Sequence, residues 1–155
     1  MPDLYPILKL AHLIGAAVLL GTGAGIAFFM LMADRTGEPK IIHRVAAMVV
    51  LADLVFTATA VIAQPLTGAA LASTLGYSLT EGWILKSVGL YVVVGVCWLP
   101  VVWIQLVARD LAGQAALEGT PLPERYHRLM RVWFWLGWPA FAGVIAIYWL
   151  MIVKP

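Results

Sequence analysis

Four apolar stretches dominate this chain: Tyr5 to Ala33, Ile41 to Gln64, Gly82 to Ala108 and Leu129 to Val153. Each exceeds the ~20 residues that a helix rising ~1.5 Å per residue needs to cross ~30 Å of hydrocarbon. The expected fold is therefore all-α, a four-transmembrane-helix bundle making one integral membrane domain over residues 1–155. Composition agrees: 63% of the residues are hydrophobic and 12% are charged, about half the ~25% of an average soluble domain. No separate soluble enzyme domain fits in what remains. The net charge of +2 is small and its basic residues lie near the connections, so nucleic acid is not an expected partner; the lipid bilayer is. A lone cysteine, Cys97, excludes an intrachain disulfide and reads as a small core residue.

The connections carry helix breakers. Asp34 to Lys40 holds Gly37 and Pro39 in a tight polar turn. Pro65 is expected to end the second helix, with Leu66 to Glu81 as a loop and Thr80 as the N-cap of the third helix. Asp110 to Arg128, with Gly119, Pro121 and Pro123, is the longest polar stretch and sets a turn before the fourth helix. The first apolar run is longer than a signal peptide's and lacks a basic leading region, so it is expected to stay in the mature chain. Arg35, Lys40 and Arg44 flank the first connection and Arg109, Arg125, Arg128 and Arg131 the third, against Lys9, Lys86 and Lys154 at the other surface. By the positive-inside rule both termini are expected on the non-cytoplasmic side.

Against this background a few side chains stand out, because an Asp or Lys at a helix centre costs about 2.5–3.5 kcal/mol on insertion scales and must face a partner, the bundle interior or a ligand. His12 lies about 10 Å into the first helix from the outer surface. Lys9 precedes it on the same face, and Gln64, Lys86, Tyr5 and Trp83 are expected near that level. His12 is followed by Gly15, Gly21, Gly23 and Gly25, a surface against which a flat macrocycle could lie. An axial imidazole for haem b is one reading, with Lys9 and Lys86 pairing with the propionates. The other is helix contact: Gly21 and Gly25 form GxxxG, and a membrane histidine can bond a neighbouring helix. The same glycines could join two copies into a C₂ homodimer that completes the site. His43 and His127 start the second and fourth helices at the opposite surface.

Asp53 falls near the middle of the second helix, with Thr57 one turn on. Its ionised form needs a partner or water, so it reads either as a proton relay or as a neutral acid bonded to a facing helix. Met30, Met32 and Met48 could make a soft site for Cu(I), or be ordinary lipid-facing residues.

Taken together, Lys9 to Gly23 (KLAHLIGAAVLLGTG), Ala63 to Gly68 (AQPLTG), Gly82-Trp83 and the closing WLMIVKP resemble the bacterial integral membrane family called domain of unknown function 2269, over nearly the whole chain. More distantly, the K-x-x-H of the first helix and the Gly-Trp followed by Lys86 are similar to membrane-bound, haem-binding protoporphyrinogen oxidases and to copper-resistance membrane proteins. The positions that correspond are Lys9, His12, Trp83 and Lys86, and what they imply is haem binding. The functional expectation is a haem b-binding membrane protein, engaged in electron transfer or oxidoreductase chemistry at the outer leaflet with a quinone, a small oxidant or another redox protein. His12 would ligate the iron, with Lys9, Gly15, Gln64, Trp83 and Lys86 around the cofactor. The alternatives are copper or small-solute handling through Asp53 and the methionines, and a cofactor-free assembly factor.

Overall fold

A computed structural model describes residues 4–155. Its described part is helical, without strands: α1 (Leu4–Thr36), α2 (Pro39–Thr74), α3 (Gly82–Glu118) and α4 (Glu124–Val153), each long and apolar enough to cross a membrane. The four-helix architecture expected from the sequence is the one found. Short connections make successive helices antiparallel. One end of the bundle carries the start of α1, the α2–α3 loop and the end of α4 (the termini end); the other carries the two connections rich in basic residues (the basic-loop end).

Three helices run further than their apolar stretches suggest. α2 does not stop at Pro65 but continues to Thr74. Proline has no N–H to offer the Val61 carbonyl four residues back, and the Tyr91 hydroxyl from α3 donates to that carbonyl instead. The freed acceptor is satisfied sideways, so the helix survives. α3 extends to Glu118 rather than Ala108, because Ala112 and Ala115 still have neighbours to bury against. It ends at Gly119, whose left-handed φ of 66° lets both Gly119 and Thr120 return their N–H groups to the Ala115 carbonyl. α4 then begins at Glu124, directly after Pro123, five residues ahead of the apolar stretch. Thr80 is not the α3 cap. Its N–H and hydroxyl turn to Ser78 Oγ at 3.2 and 2.6 Å, and Glu81 takes the N-cap position.

The packed core sits at the basic-loop end. Ile26, Met30 and Ala33 of α1 meet Ile42, Ala46 and Val49 of α2, Ile104, Ala108 and Ala112 of α3, and Tyr126, Met130 and Trp133 of α4. A smaller cluster of Ala72, Trp83 and Ile84, with Tyr77 and Met151 against it, closes the termini end. Most remaining large apolar side chains face outward, Leu13, Phe28, Leu54, Val96 and Trp149 among them, as a lipid-facing surface requires.

Candidate functional site around His12

Two residues of α1 and four of α2 build the site near the termini end. α1 presents His12 and, three residues on, Gly15; α2 presents Gln64, Pro65, Thr67 and Gly68, with Gln64 and Thr67 three apart and so on one face. The Gln64 side-chain amide donates to the His12 carbonyl at 2.8 Å. Gly15 makes that reach possible, because a Cβ there would overlap the Gln64 amide nitrogen. The imidazole lies beside Gly68, where a Cβ would come within 3.2 Å of His12 Cε1.

The hydrogen bonds around the imidazole suit one tautomer. Thr67 Oγ1 has one proton, and it is committed to helix carbonyls, Ala63 O at 2.8 Å and Gln64 O at 3.2 Å. With its proton so placed, its oxygen accepts from His12 Nδ1, 2.9 Å away. With the proton on Nδ1, Nε2 carries the lone pair, and it has no hydrogen-bond partner among the described residues. This is the arrangement in which an imidazole can accept a proton or ligate a metal through Nε2.

Of the residues expected around a cofactor, the structure brings together His12, Gly15 and Gln64. Gly15 is covered by Gln64 rather than left clear for a macrocycle. The open positions on α1 are Gly21, Gly23 and Gly25, which have nothing within 4 Å of where a Cβ would be. Lys9 is exposed, its ammonium 5.7 Å from the Tyr5 ring centroid. Lys86 is exposed as well and forms no ion pair among the described residues. Trp83 lies elsewhere: it is buried edge-to-face against Tyr77 at 5.5 Å, with the Lys154 ammonium over both rings. Thr67 and Gly68 were within the AQPLTG pattern but carried no chemical role in the sequence reading. Their three- and four-residue offsets from Gln64 are the signal that points to them.

The other candidates fall into separate places. Met30 is fully buried in the core while Met48 is exposed on the lipid side, so these thioethers do not share one environment. His43 Nδ1 bonds to the Arg109 carbonyl at 2.9 Å and ties α2 to α3. The Tyr126 hydroxyl donates to Asp34 at 2.9 Å, joining α4 to the end of α1. His127 is exposed and lines a cleft of about 350 Å³ between α1 and α4 with Asp34 and Arg131. Among the described residues no group of three or more His, Cys, Asp or Glu side chains is placed to hold a metal ion, a condition that a haem, needing one imidazole, does not impose.

No curated protein and no solved structure matches the chain. A family model does, over residues 6–155: the chain belongs to the family described as predicted integral membrane protein (DUF2269).

Proposed function

We propose that this membrane protein binds haem b at the termini end and passes electrons there, with His12 supplying an axial ligand through Nε2. The observation that carries the reading is the bonding of the ring: Thr67 Oγ1 stands 2.9 Å from Nδ1 while Nε2 has no hydrogen-bond partner among the described residues, an arrangement common in ligating histidines. Gly21 and Gly25, about one turn apart on one face of α1, have open space beside them, and the ammonium groups of Lys9 and Lys86, which form no ion pair among the described residues, suit propionates. Haem, when bound, supplies a one-electron iron couple. This chain's residues hold the imidazole in one orientation through Thr67 and fix the α1 backbone through Gln64. A quinone or small oxidant on the periplasmic side of a bacterial cytoplasmic membrane is the partner we assign. A second copy packed on the open glycine face, as a C₂ homodimer, is where we place the second ligand.

Visible absorption of the detergent-solubilised protein from haem-replete membranes tests this. A Soret band is expected that His12→Ala removes and that His43→Ala and His127→Ala leave intact. Thr67→Val should weaken haem retention by roughly 10–100-fold, the usual effect of losing the group that hydrogen-bonds a ligating imidazole. Wild-type protein without a Soret band, or an unchanged band at full occupancy in His12→Ala, overturns the assignment. Copper without haem in metal analysis would favour the metal-handling alternative. The mass of the haem-loaded particle decides the dimer.

A further inference from the structure

A second polar group lies deep in the bundle, independent of His12. Asp53 sits 14 residues into α2, roughly 21 Å from its start along the axis. There α2 widens into a single π-helical turn, Asp53–Thr57, in which the Ala58 N–H reaches back five residues to the Asp53 carbonyl. The extra residue turns both Asp53 and Thr57 inward, 4% and 6% exposed, while Leu54, Val55 and Phe56 between them face lipid. Such π-turns are often found at functional sites.

Three side chains surround the Asp53 carboxyl: Thr57 from its own helix, and Trp98 and Gln105 from α3. The bonding is loose. Trp98 Nε1 donates to Asp53 Oδ1 across 3.4 Å. Gln105 is completely buried, yet neither its amide nitrogen nor its oxygen has a partner, and the buried Thr57 hydroxyl has none either. Thr57 is buried without the local bond that other hydroxyls in these helices find. Thr59, Thr67, Thr74 and Ser87 all donate to the carbonyl four residues back, whereas the Thr57 hydroxyl makes no such bond.

The donor set decides what fits between them. The carboxylate, the Gln105 oxygen and the Thr57 oxygen accept, while the Trp98 N–H, the Gln105 amide protons and the Thr57 hydroxyl donate. A metal cation would face N–H groups pointing at it, and an anion would face the carboxylate. Water both donates and accepts, and it bridges polar groups that stand too far apart to bond directly. No Lys, Arg or His side chain among the described residues bonds to or pairs with Asp53, from its own helix or those packed against it.

We infer that Asp53, Thr57, Trp98 and Gln105 form a mid-span proton-binding site that works through an internal water. In the uptake step an O–H bond of hydronium breaks, a new O–H bond forms on an Asp53 carboxyl oxygen, and neutral water is left hydrogen-bonded to Thr57 and Gln105. Release is the reverse.

Infrared spectroscopy of the full-length protein in lipid tests it. Wild type should show a protonated-carboxyl C=O band that disappears reversibly at alkaline pH and moves within minutes of transfer to D₂O. The band should be absent in Asp53→Asn and displaced in Gln105→Leu and Thr57→Val, where its hydrogen bonding has changed. Asp53→Glu should retain a band if the asparagine variant fails to fold. His12→Ala should leave the band in place, so failure here is distinguishable from failure of the haem assignment. No such band at any pH, or a band that Asp53→Asn leaves unchanged, overturns the inference. So does a band that resists D₂O, which would make Asp53 a sealed structural acid.

Discussion

Replacing Tyr91 by phenylalanine removes one hydroxyl and should cost more than an ordinary side-chain hydrogen bond on a helix surface, because of what Pro65 does to α2. The Val61 carbonyl has no N–H four residues ahead of it, and the Tyr91 hydroxyl is its partner. Tyr91→Phe keeps the ring and its packing and orphans that carbonyl. An unpaired buried acceptor costs about 1–3 kcal/mol in general. In bilayers, where the unfolded chain also finds partners, interhelical hydrogen bonds average about 0.6 and reach about 1.7 kcal/mol. A loss of about 1–1.5 kcal/mol is therefore expected, roughly a tenfold shift in the unfolding equilibrium at the upper end. The discriminating experiment is a double-mutant cycle read by unfolding in mixed micelles, following helix content. In a Pro65→Ala background residue 65 regains an N–H, which can close the helical bond to Val61 O, so Tyr91→Phe should then cost only a few tenths of a kcal/mol. Equal costs in both backgrounds would refute the claim that the tyrosine stands in for the bond proline removes.

Gly15→Ala should displace the Gln64 amide from the His12 carbonyl and cost about 1–3 kcal/mol. In the haem-free monomer Gly21→Ala on the same helix meets nothing within 4 Å and should be neutral or stabilising by up to ~1 kcal/mol; the same unfolding assay compares them. Tyr126→Phe breaks the bond to Asp34 that ties α4 to α1 and should cost about 1.5–3 kcal/mol, as for hydrogen bonds to charged acceptors, seen as a lower thermal midpoint. A reporter fused after Pro155 should be active only if it is of the kind that works in the periplasm; activity of a cytoplasmic reporter there would invert the orientation read from the basic connections.

The spans were legible because hydrocarbon leaves a backbone few options, and twenty apolar residues in a row announce the helix whatever they pack against. Helix ends were not. Pro65 is a stop by local rules, and only the Tyr91 hydroxyl, 26 residues further along the chain, cancels that rule. Residues 109–118 looked like a loop because they are polar, but a helix leaving the membrane continues while one side still has neighbours, as Ala112 and Ala115 do. The site was half legible. A histidine among apolar residues draws attention, and Gln64 was placed near it. The role of Thr67 depends on where its proton goes, and depth alone placed Lys86 and Trp83 at the right level without saying which way they face. Gln105 could have been marked beforehand, since it is a polar side chain inside the third apolar stretch in the same sense as Asp53.

The two halves of the bundle are held by different physics. At the basic-loop end apolar side chains from all four helices interdigitate, and α2 packs closely on α3. Toward the termini end the backbones of α2 and α3 stay apart and Tyr91 from α3 reaches across to the Val61 carbonyl of α2, while α1 is tied to its neighbours by polar side chains: Tyr148 from α4 to the Ala16 carbonyl, Gln64 and Thr67 from α2 to His12. A side-chain hydrogen bond can be exchanged for one to a ligand or water at little net cost, whereas opening an interdigitated core forfeits packing that nothing replaces. The haem site proposed above falls in the half whose contacts can be exchanged in this way. Asp53 and Gln105 mark where the two regimes meet, one π-helical turn above the closed core, and a proton held there is bounded by apolar packing toward the basic-loop end and by exchangeable polar bridges toward the other.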